Sequence, residues 1–464
     1  MSKLVARKLS NIYQKGFTIV ELLIVIVTIG ILAAVTIVSY TGISQRAKLV
    51  SLQTDLDNGS KTLKLYQVDN GSYPTSLDAN NCPVPSDVRY CLKPSDGNTY
   101  AYSSFSPYLT FKLDTTNGTT KYRITNNAGP VEVLPPSGVL ATLSPATAAA
   151  GSSPYYVTVS PDNASVYITN PFSNTISMFS RDSNTGALTS MGTVGTGSIP
   201  YDIAISPDGT SAYVANYVDN NLAIYNRNTT SGVLTANGTI PAGDNPCNIV
   251  ISTDGNYVYV TNIVSNNISM YSRSSSNGAL TALSPATITT GSGTNPLGIK
   301  ISPDGNSVYT ANYGNGSISM FSRSTSTGLL TALSPATIAS SNPYDLAVSM
   351  DSKYVYAANV AHDVSMYIRN TSTGVLTSNG TVAAGNNPMR IIVSPDGISV
   401  YVVNQSSNNV SMYKINSSNG TLSALSPATI LADTLPYNIA ISPDNNSVYV
   451  VNISTNNVSM YSRQ

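Results

Sequence analysis

Side chains that could perform acid–base or nucleophilic chemistry are scarce in this chain. Its 464 residues contain one histidine, His362, and two glutamates, Glu21 and Glu132. General acid–base catalysis usually depends on histidine or carboxyl groups, and a metal site needs several ligands at short spacing. No Cys/His metal spacing and no Gly-rich phosphate loop occurs. We therefore predict no catalytic residue, no metal and no cofactor, and we expect that the chain is not an enzyme.

Seven of the aspartates recur in a repeat of about 47 residues. Each copy has a proline eight residues before an aspartate and an asparagine eight residues after it. The aspartates are Asp162, Asp208, Asp254, Asp304, Asp351, Asp396 and Asp444. An aspartate in a tight turn accepts hydrogen bonds from its own backbone, so we interpret this set as turn caps and not as a ring of catalytic carboxylates.

One position of the repeat is polar and differs from copy to copy. It lies two residues after each repeated proline and is occupied by Tyr156, Asp202, Asn248, Gly298, Asp345, Arg390 and Asn438. A purely structural position would be uniform among the copies. We predict that these side chains, Gly298 excepted, form a ligand face at the mouth of a central channel. The loops after the repeated asparagines should open on the same side.

Each copy reads as four short strands with tight-turn residues between the first two. Four-stranded units of this length that stack radially are propeller blades, and seven of them close a ring. The last copy stops after its third strand, whereas residues 138–143 match the start of other fourth strands. We predict an all-β seven-bladed β-propeller over residues 138–464, in which residues 138–143 complete the final blade and remove two exposed sheet edges.

The N-terminal residues predict a leader followed by a membrane helix. Residues 1–16 are basic and polar and end in Gly16, and an apolar run of about 20 residues begins at Phe17. Glu21 lies inside that run, where an ionised side chain costs about 2.5–3.5 kcal/mol unless it has a partner. Cleavage after Gly16 would retain the helix and create an α-amine at Phe17, four residues from Glu21.

This segment resembles the class III leader and N-terminal helix of type IV pilins and type II secretion pseudopilins. The resemblance implies cleavage between Gly16 and Phe17 by a prepilin peptidase, which also N-methylates Phe17. It implies that Glu21 pairs with the N-terminus of a neighbouring pilin subunit during assembly. The precursor would cross the inner (cytoplasmic) membrane once, and the assembled protein would reach the cell surface on a pilus.

The region between the anchor and the propeller predicts an α+β pilin-like part. Apolar residues at helical spacing extend the helix over 17–70, and residues 71–130 read as a small strand-rich head. Residues 131–137, with paired prolines, read as a stiff linker. Cys82 and Cys91 flank a short loop of the head and are expected to form a disulfide outside the cell, with two free thiols as the alternative.

The blade segments also resemble a known family. Tyr213-Val214-Ala215-Asn216 and its equivalents, each after a Ser-Pro-Asp-Gly-like turn, resemble YVTN-type propeller repeats, which are similar to lactonase-like propeller enzymes. We expect a minor pilin-like protein that displays the propeller as an adhesion module for an extracellular glycan or protein, because a propeller on every subunit would crowd a continuous filament. The alternatives are a displayed lactonase-like hydrolase, or a pseudopilin of a secretion or DNA-uptake system with a structural propeller. A neutral chain with 10% charged residues argues against nucleic acid.

Overall fold

A computed structural model describes residues 50–84, 87–105, 110–117, 120–125, 128–133 and 137–464. The leader, the apolar segment and the predicted processing and assembly residues Gly16, Phe17 and Glu21 lie outside these ranges. The chain divides into two compact units, Met1–Pro135 and Pro136–Gln464. Within the described ranges, no helix combines the length and the hydropathy that a membrane crossing requires.

The first unit packs one helix on one antiparallel sheet. Helix α1 covers residues 50–70 and is followed by Gly71, whose φ is positive. Leu52, Leu56 and Leu63 recur at helical spacing and are fully buried, together with Leu113 of the sheet. The four strands, in the order β1-β2-β3-β4, are Thr99–Phe105, Thr110–Asn117, Thr120–Thr125 and Ala128–Val133. A 3-10 helix covers Val88–Tyr90, and β4 extends three residues into the segment that was predicted as a linker.

A disulfide and a buried carboxylate tie down the loops of this unit. Cys82 and Cys91 are bonded, which confirms the predicted disulfide. Asp55 of α1 accepts hydrogen bonds from the backbone nitrogen of Ser95 at 2.8 Å and from Asn98 Nδ2 at 2.7 Å. The loop before β1 is therefore held against the helix by charge-assisted hydrogen bonds.

The second unit is a seven-bladed all-β propeller, as predicted. Every blade is a four-stranded antiparallel sheet. The first blade contains β6–β9, the second β10–β13, the third β14–β17, the fourth β18–β21, the fifth β22–β25, the sixth β26–β29, and the seventh β30, β31, β32 and β5.

The strand bounds repeat closely from blade to blade. Strand β5 is Leu140–Ala149, and in chain order β6 to β32 are Val157–Val159, Ser165–Asn170, Thr175–Arg181, Leu188–Gly195, Pro200–Ile205, Ser211–Asn216, Asn221–Arg227, Leu234–Pro241, Pro246–Ile251, Tyr257–Asn262, Asn267–Arg273, Leu280–Thr289, Pro296–Ile301, Ser307–Asn312, Ser317–Arg323, Leu330–Ala339, Pro343–Val348, Tyr354–Asn359, Asp363–Arg369, Leu376–Ala383, Pro388–Val393, Ser399–Asn404, Asn409–Ile415, Leu422–Leu431, Pro436–Ile441, Ser447–Asn452 and Asn457–Arg463.

The seventh blade takes its outermost strand from the other end of the propeller sequence. Strand β5 pairs antiparallel with β32, with Leu140 opposite Arg463 and Ala149 opposite Asn457. The backbone nitrogen of Gly138 donates to the oxygen of Gln464 at 2.8 Å, and the nitrogen of Gln464 donates to the oxygen of Val139 at 2.9 Å. The two ends of the ring therefore share one sheet.

The two faces of the propeller are built from different turns. We call turn face the side with the Ser-x-Asp turns between the first and second strands of each blade. In the second blade, Ser206 Oγ donates to Asp208 Oδ1 at 2.5 Å, and the nitrogen of Thr210 donates to the same oxygen at 3.0 Å. The repeated aspartates thus cap their own turns.

These aspartates also bind an arginine of the following blade. Arg273 Nη2 lies 2.8 Å from Asp208 Oδ2, and its Nε donates to the hydroxyl of Tyr213. The same pairing occurs at five further blade junctions, with the pairs Arg181–Asp444, Arg227–Asp162, Arg323–Asp254, Arg369–Asp304 and Arg463–Asp396. At the junction of the fifth and sixth blades, Ile415 occupies the arginine position, and Asp351 pairs instead with Lys353 at 3.6 Å.

We call Asn face the opposite side, where the second and third strands are joined by turns that begin at the repeated asparagines. In six of these turns the residue at positive φ is Asn or Gly, and in the fifth blade it is His362. Asn220 Oδ1 accepts from the nitrogen of Asn245 at 2.9 Å, and His362 Nδ1 accepts from the nitrogen of Asn387 at 3.2 Å. The single histidine of the chain therefore substitutes for a turn asparagine.

Candidate functional site

The first strands of the seven blades surround a central channel, which three tyrosines close towards the Asn face. The hydroxyls of Tyr201 and Tyr437 are 2.7 Å apart, as are those of Tyr344 and Tyr437, and Tyr201 and Tyr344 are 3.2 Å apart. These residues belong to the second, fifth and seventh blades. Burial raises the pKa of Tyr201 and of Tyr437 well above the ordinary value, so the hydroxyls stay neutral.

Arg390 lies among these rings and is only 1% exposed. Its Cζ is 4.6 Å from the ring centre of Tyr156, 4.9 Å from that of Tyr344 and 5.2 Å from that of Tyr437. Its Nη1 donates to the backbone oxygen of Met389 at 3.3 Å, whereas Nε and Nη2 have no hydrogen-bond partner within the described ranges. The buried guanidinium therefore makes cation–π contacts with three tyrosine rings. We call this group the arginine cage.

A cavity on the Asn face, with a volume of about 480 Å³, lies above the cage. We call it the aromatic depression, and its lining residues are Tyr155, Ile199, Tyr201, Tyr217, Ile263, Leu297, Tyr313 and Tyr344. The rings of Tyr201 and Tyr217 are stacked at 5.9 Å, and Tyr313 is 40% exposed. The lining carries no ionisable group other than tyrosine hydroxyls, so it suits the contact face of an uncharged ligand.

A second cavity, of about 430 Å³, lies on the other side of the cage. We call it the polar channel. Its outer end is lined by Pro207 and Pro303 of the Ser-x-Asp turns, so it opens on the turn face. Its walls are mainly Ile and Val side chains of the first strands, and its polar lining residues are Tyr156, Thr158, Asp202, Asn248, Lys300, Asp345 and Asn438.

Three polar side chains of the channel join neighbouring blades. Asp202 Oδ2 accepts from the backbone nitrogen of Ile249 at 2.8 Å, and Asp345 Oδ2 accepts from that of Ile391 at 3.4 Å. Asn438 Oδ1 likewise accepts from the backbone nitrogen of Val157, the first residue of β6, at 3.2 Å. Part of the polarity at this position therefore serves to connect the blades.

Other atoms of the channel have no hydrogen-bond partner within the described ranges. Asn248 accepts a hydrogen bond from the Tyr156 hydroxyl at 2.5 Å, but its Nδ2 donates to nothing. Asp345 Oδ1 accepts no hydrogen bond, although Lys300 Nζ lies 3.4 Å away as an ion-pair partner. Buried polar groups are rarely left unsatisfied, and both residues line the polar channel.

The structure brings the predicted ligand-face residues together, but not at the rim of the Asn face. Five of them, Tyr156, Asp202, Asn248, Asp345 and Asn438, line the polar channel, and Arg390 lies in the cage. They lie beneath the layer formed by Tyr201, Tyr344 and Tyr437. Each of these tyrosines directly follows a blade proline, one position before the ligand-face residue of the same strand, and therefore lies nearer the Asn face. Tyr217 and Tyr313, which the sequence placed beside them, line the aromatic depression on the other side of that layer.

The layer of Tyr201, Tyr344 and Tyr437 and the lysine of the channel, Lys300, were not predicted from the sequence. Tyrosine follows the blade proline directly in four of seven copies. A residue type that recurs among the copies is typical of a position that packs between blades, so it did not indicate a site. Lys300 is the only charged residue at its position of the repeat, and that exception was the available signal. The free thiol of Cys247 is fully buried, and burial raises its pKa to about 11, which opposes a role as nucleophile.

Asp202 should give the propeller a specific pH dependence. Burial raises its pKa to about 6, although the backbone nitrogen of Ile249 and the charges of Lys300 and Arg390 act in the opposite direction. The unfolded chain has a pKa of about 3.9 at this residue, so the folded state holds the proton more tightly. This contribution to the free energy of unfolding therefore declines as the pH rises from about 4 to about 6.

We expect Asp202→Asn to remove this decline. Asparagine occupies the same position in two sister blades, at Asn248 and Asn438, and its Oδ1 can still accept from Ile249. The variant should gain at most about 3 kcal/mol at pH 7 relative to the native chain, since one pKa unit corresponds to about 1.4 kcal/mol. Urea unfolding of both proteins between pH 4 and 7 measures the difference. Parallel stability curves would contradict the raised pKa.

The comparisons with known proteins agree with the fold of both units. A family model described as lactonase, seven-bladed β-propeller, matches residues 133–295, 239–393 and 378–464. A putative 6-phosphogluconolactonase from Bacteroides fragilis superposes with a TM-score of 0.56 at 21% identity, covering 74% of this chain and 98% of that one. A periplasmic gluconolactonase of Pseudomonas aeruginosa gives 0.54 at 18% identity, covering 73% of this chain and 97% of that one.

A different group of proteins matches a smaller share of the chain. The type IV wide pilus major component of Thermus thermophilus is 34% identical over 90 residues, which is 18% of this chain and 69% of that protein. The type II secretion system core protein G of Aeromonas hydrophila is 35% identical over 113 residues, which is 22% of this chain and 79% of that protein.

Together these observations define a fusion of a pilin-like segment with a β-propeller. The chain belongs to the seven-bladed β-propeller lactonase family, and it is also a relative of the type IV pilins and type II secretion core proteins.

The expectation that the chain is not an enzyme is wrong as a firm conclusion. It rested on the scarcity of His and Glu, whereas the family model is that of lactonases, and solved neighbours include a putative 6-phosphogluconolactonase and a gluconolactonase. Aspartate and lysine can also perform acid–base chemistry, and Asp202, Asp345 and Lys300 line one cavity although they are far apart in sequence.

Proposed function

We propose that this protein is a minor pilin-like subunit that displays the propeller as a binding module on a type IV pilus or a related pseudopilus. A prepilin peptidase cleaves after Gly16 and methylates Phe17, and Glu21 then pairs with the N-terminus of a neighbouring subunit in the inner membrane. The pilin and secretion-system relatives support this route. The bulk of the propeller favours an occasional subunit over one that repeats along the whole filament.

The aromatic depression is the observation that carries the binding role. Exposed tyrosine rings in a concave surface form large contact areas at a low cost in conformational entropy. The chain enters the propeller on the turn face, where Ser137 Oγ donates to the oxygen of Gln464, and β5 then runs towards the Asn face. Residue 137, the first described residue of the propeller, therefore lies on the face opposite the aromatic depression.

We expect the double variant Tyr217→Ala, Tyr313→Ala to lose about 2–4 kcal/mol of binding free energy for cells or an immobilised glycan array, because buried aromatic anchors dominate such interfaces. The matched control is Phe172→Ala. Phe172 is a 74% exposed aromatic residue in an Asn-face turn outside the depression. Equal binding by the double variant and the control would contradict this site.

Lactone hydrolysis is the second candidate function. The family match favours it, together with Asp202, whose pKa of about 6 is suited to general-base catalysis near neutral pH. In this hypothesis a carboxylate in the polar channel removes a proton from water that attacks the lactone carbonyl, and Lys300 stabilises the oxyanion. The ring C–O bond then breaks, and the leaving alkoxide takes the proton back from the carboxyl group. Incubation of the purified protein with gluconolactones, compared with Lys300→Met, tests it. Hydrolysis at the uncatalysed rate would exclude it.

A further inference from the structure

We infer that a pocket at the junction of the fifth and sixth blades binds a guanidinium group supplied by another molecule. We call it the junction pocket. It has a volume of about 150 Å³, and its lining includes Asp351, Tyr354, Gly397 and Ile415. It shares no lining residue with the aromatic depression or the polar channel. The inference is therefore independent of the proposed binding role and of lactone hydrolysis.

The junction of the third and fourth blades shows how this type of surrounding holds a guanidinium group. Arg323 donates to the hydroxyl of Tyr259 at 2.9 Å and to the backbone oxygen of Gly305 at 3.0 Å. Its Nη2 donates to Asp254 Oδ2 at 2.7 Å, and its Cζ lies 5.1 Å from the ring centre of Tyr257. A carboxylate, a hydroxyl oxygen, a carbonyl oxygen and an aromatic ring thus surround one planar cation.

The junction of the fifth and sixth blades has the same four groups but no arginine of its own. In chain order, the corresponding positions are occupied by Asp351, Tyr354, Tyr356 and Gly397. Ile415 occupies the position of the arginine. An isoleucine side chain can fill the space of the aliphatic stem of an arginine, but it does not extend as far as the guanidinium group. Because three of the four groups and Ile415 line the pocket, the pocket contains the place that the guanidinium takes in the other junctions.

The hydroxyl of Tyr356 lacks the hydrogen bond that its equivalents receive. Tyr356 is fully buried, and its hydroxyl donates to the backbone oxygen of Gly420 at 3.0 Å, but no group within the described ranges donates to it. In the six other junctions an arginine Nε donates at 2.6–2.9 Å to the equivalent hydroxyl, which belongs to Tyr167, Tyr213, Tyr259, Tyr309, Tyr401 and Tyr449. A guanidinium group in the junction pocket can supply the missing hydrogen bond.

The carboxylate of Asp351 is oriented for the same ligand. Its Oδ1 accepts hydrogen bonds from Ser349 Oγ at 2.6 Å and from the backbone nitrogen of Lys353 at 3.1 Å. Among the described residues, its Oδ2 has Lys353 Nζ as its only polar partner, at 3.6 Å. Both side chains are half-exposed, so this ion pair contributes little and a better-placed cation can replace it. The second carboxylate at the pocket, Asp396, is already paired with Arg463 at 2.7 Å.

The size of the pocket limits the ligand to a head group. A volume of about 150 Å³ is below the range of about 300–1,000 Å³ that is typical of sites for whole small molecules. Met350, which is 49% exposed, lines the pocket at a position where five of the seven repeats have a proline. Its flexible side chain can pack along an alkyl stem that leaves the pocket. The ligand is therefore a guanidinium group on a stem, either an arginine side chain of another polypeptide or a free small guanidinium compound.

Ligand-observed NMR on the full chain in a non-ionic detergent tests the inference. The probes are methylguanidinium and, as a cation of equal charge without the planar fork, methylammonium. We expect saturable binding of methylguanidinium with a Kd of about 1 mM, and binding of methylammonium that is about tenfold weaker or more. Asp351→Asn should also weaken methylguanidinium binding about tenfold or more, because it removes the charged acceptor and retains an oxygen for the backbone nitrogen of Lys353.

Two further variants move the site. Ile415→Arg should abolish the binding of methylguanidinium, since the new side chain places its own guanidinium in the pocket. The double variant Ile415→Arg, Arg323→Ile should restore binding, because it creates the same combination of groups at the junction of the third and fourth blades. Asp351→Asn and Ile415→Arg keep the other contacts of the native junction, so the test does not depend on the folding of the double variant.

The matched control is Asp182→Asn. Asp182 is an exposed turn-face aspartate that does not line the pocket, and sister blades have Asn228, Asn370 and Asn416 at its position. This variant should bind methylguanidinium as the native chain does. Absence of methylguanidinium binding, equal binding of the two cations, equal losses from Asp351→Asn and Asp182→Asn, or unchanged binding by Ile415→Arg would overturn the inference.

A peptide distinguishes the two sources of the guanidinium group. The probe is a tripeptide with a central arginine between two glycines and with blocked ends, so the arginine carries its only charge. Binding tighter than that of methylguanidinium would assign the pocket to an arginine of another polypeptide, and equal or weaker binding would assign it to a free compound. Either outcome supports the site, and neither depends on adhesion or on lactone turnover.

Discussion

Removal of residues 137–149 is expected to abolish the cooperative unfolding transition of the propeller. These residues contain β5, the outermost strand of the seventh blade, which pairs with β32 over residues 140–142 and 147–149. Their loss leaves β32 as an edge strand without a partner on its outer side. It also exposes the hydrophobic cluster between the sixth and seventh blades, in which Leu140 is buried with only 3% of its surface exposed. The expected loss of more than about 5 kcal/mol is comparable with the whole stability of an ordinary domain. Circular dichroism melts of residues 137–464 and 150–464 measure it.

A permuted chain provides the control. In the second blade, four residues separate Arg227 from Gly232. At the corresponding place in the seventh blade only Gln464 and Ser137 are present between Arg463 and Gly138. Moving residues 137–149 behind Gln464 with a two-residue Thr-Thr linker should therefore rebuild an ordinary blade and restore the transition. A cooperative melt of 150–464 without that segment would contradict closure through β5.

The fold was predictable because its signals are repeated. Seven copies of the proline, aspartate and asparagine register indicate seven blades, and the Gly-Val-Leu segment before the first copy overlaps β5. The arginine that recurs at six of the seven blade junctions was not predicted as a partner of the turn aspartates. Its partner lies about 65 residues earlier, in the preceding blade, and only the radial stacking brings Arg273 to Asp208.

The candidate site was predictable in composition but not in depth. Variation among the blades identified Asp202, Asn248 and Asp345 as neighbours around a channel. The depth of these side chains in the channel depends on which residue of the first strand lies nearest the Asn face. The residue spacing in the sequence does not indicate which residue this is. The meeting of three tyrosine hydroxyls likewise depends on blades two, five and seven converging at one point.

The junction arginines should contribute strongly to the stability of the ring. Arg273→Ala removes the ion pair to Asp208 and the hydrogen bonds to Tyr213 and the oxygen of Gly255, and it leaves a cavity. We expect a loss of about 3 kcal/mol, at the lower end for a buried pair because Asp208 is 38% exposed. Urea unfolding of residues 137–464 should show a lower midpoint with an unchanged slope.

The pH dependence of that loss separates the charge from the packing. Burial tends to raise the pKa of Asp208, but hydrogen bonds from Ser206, Thr210 and Arg273 outweigh it and hold the pKa well below its ordinary value. The ion pair therefore stabilises the folded state fully above about pH 4, and its contribution declines as the pH falls. The difference between the native chain and Arg273→Ala should shrink at pH 3. An equal difference at both pH values would assign the effect to packing alone.

The fifth blade supplies the reciprocal experiment. Ile415 replaces the arginine there, yet the surroundings match the junction of Arg323, because Tyr354 and Asp351 correspond to Tyr257 and Asp254. We expect Ile415→Arg to fit the same slot and to depress the pKa of Asp351 further, which makes the gain larger at pH 7 than at pH 3. Ile415→Ala is the control, since it removes the apolar packing without adding a charge and should destabilise equally at both pH values. If Ile415→Arg lowered the free energy of unfolding equally at pH 7 and pH 3, as Ile415→Ala should, the shared Asp–Arg–Tyr geometry would not explain the stabilising effect of the repeated arginines. That effect would then depend on other features of the individual blades.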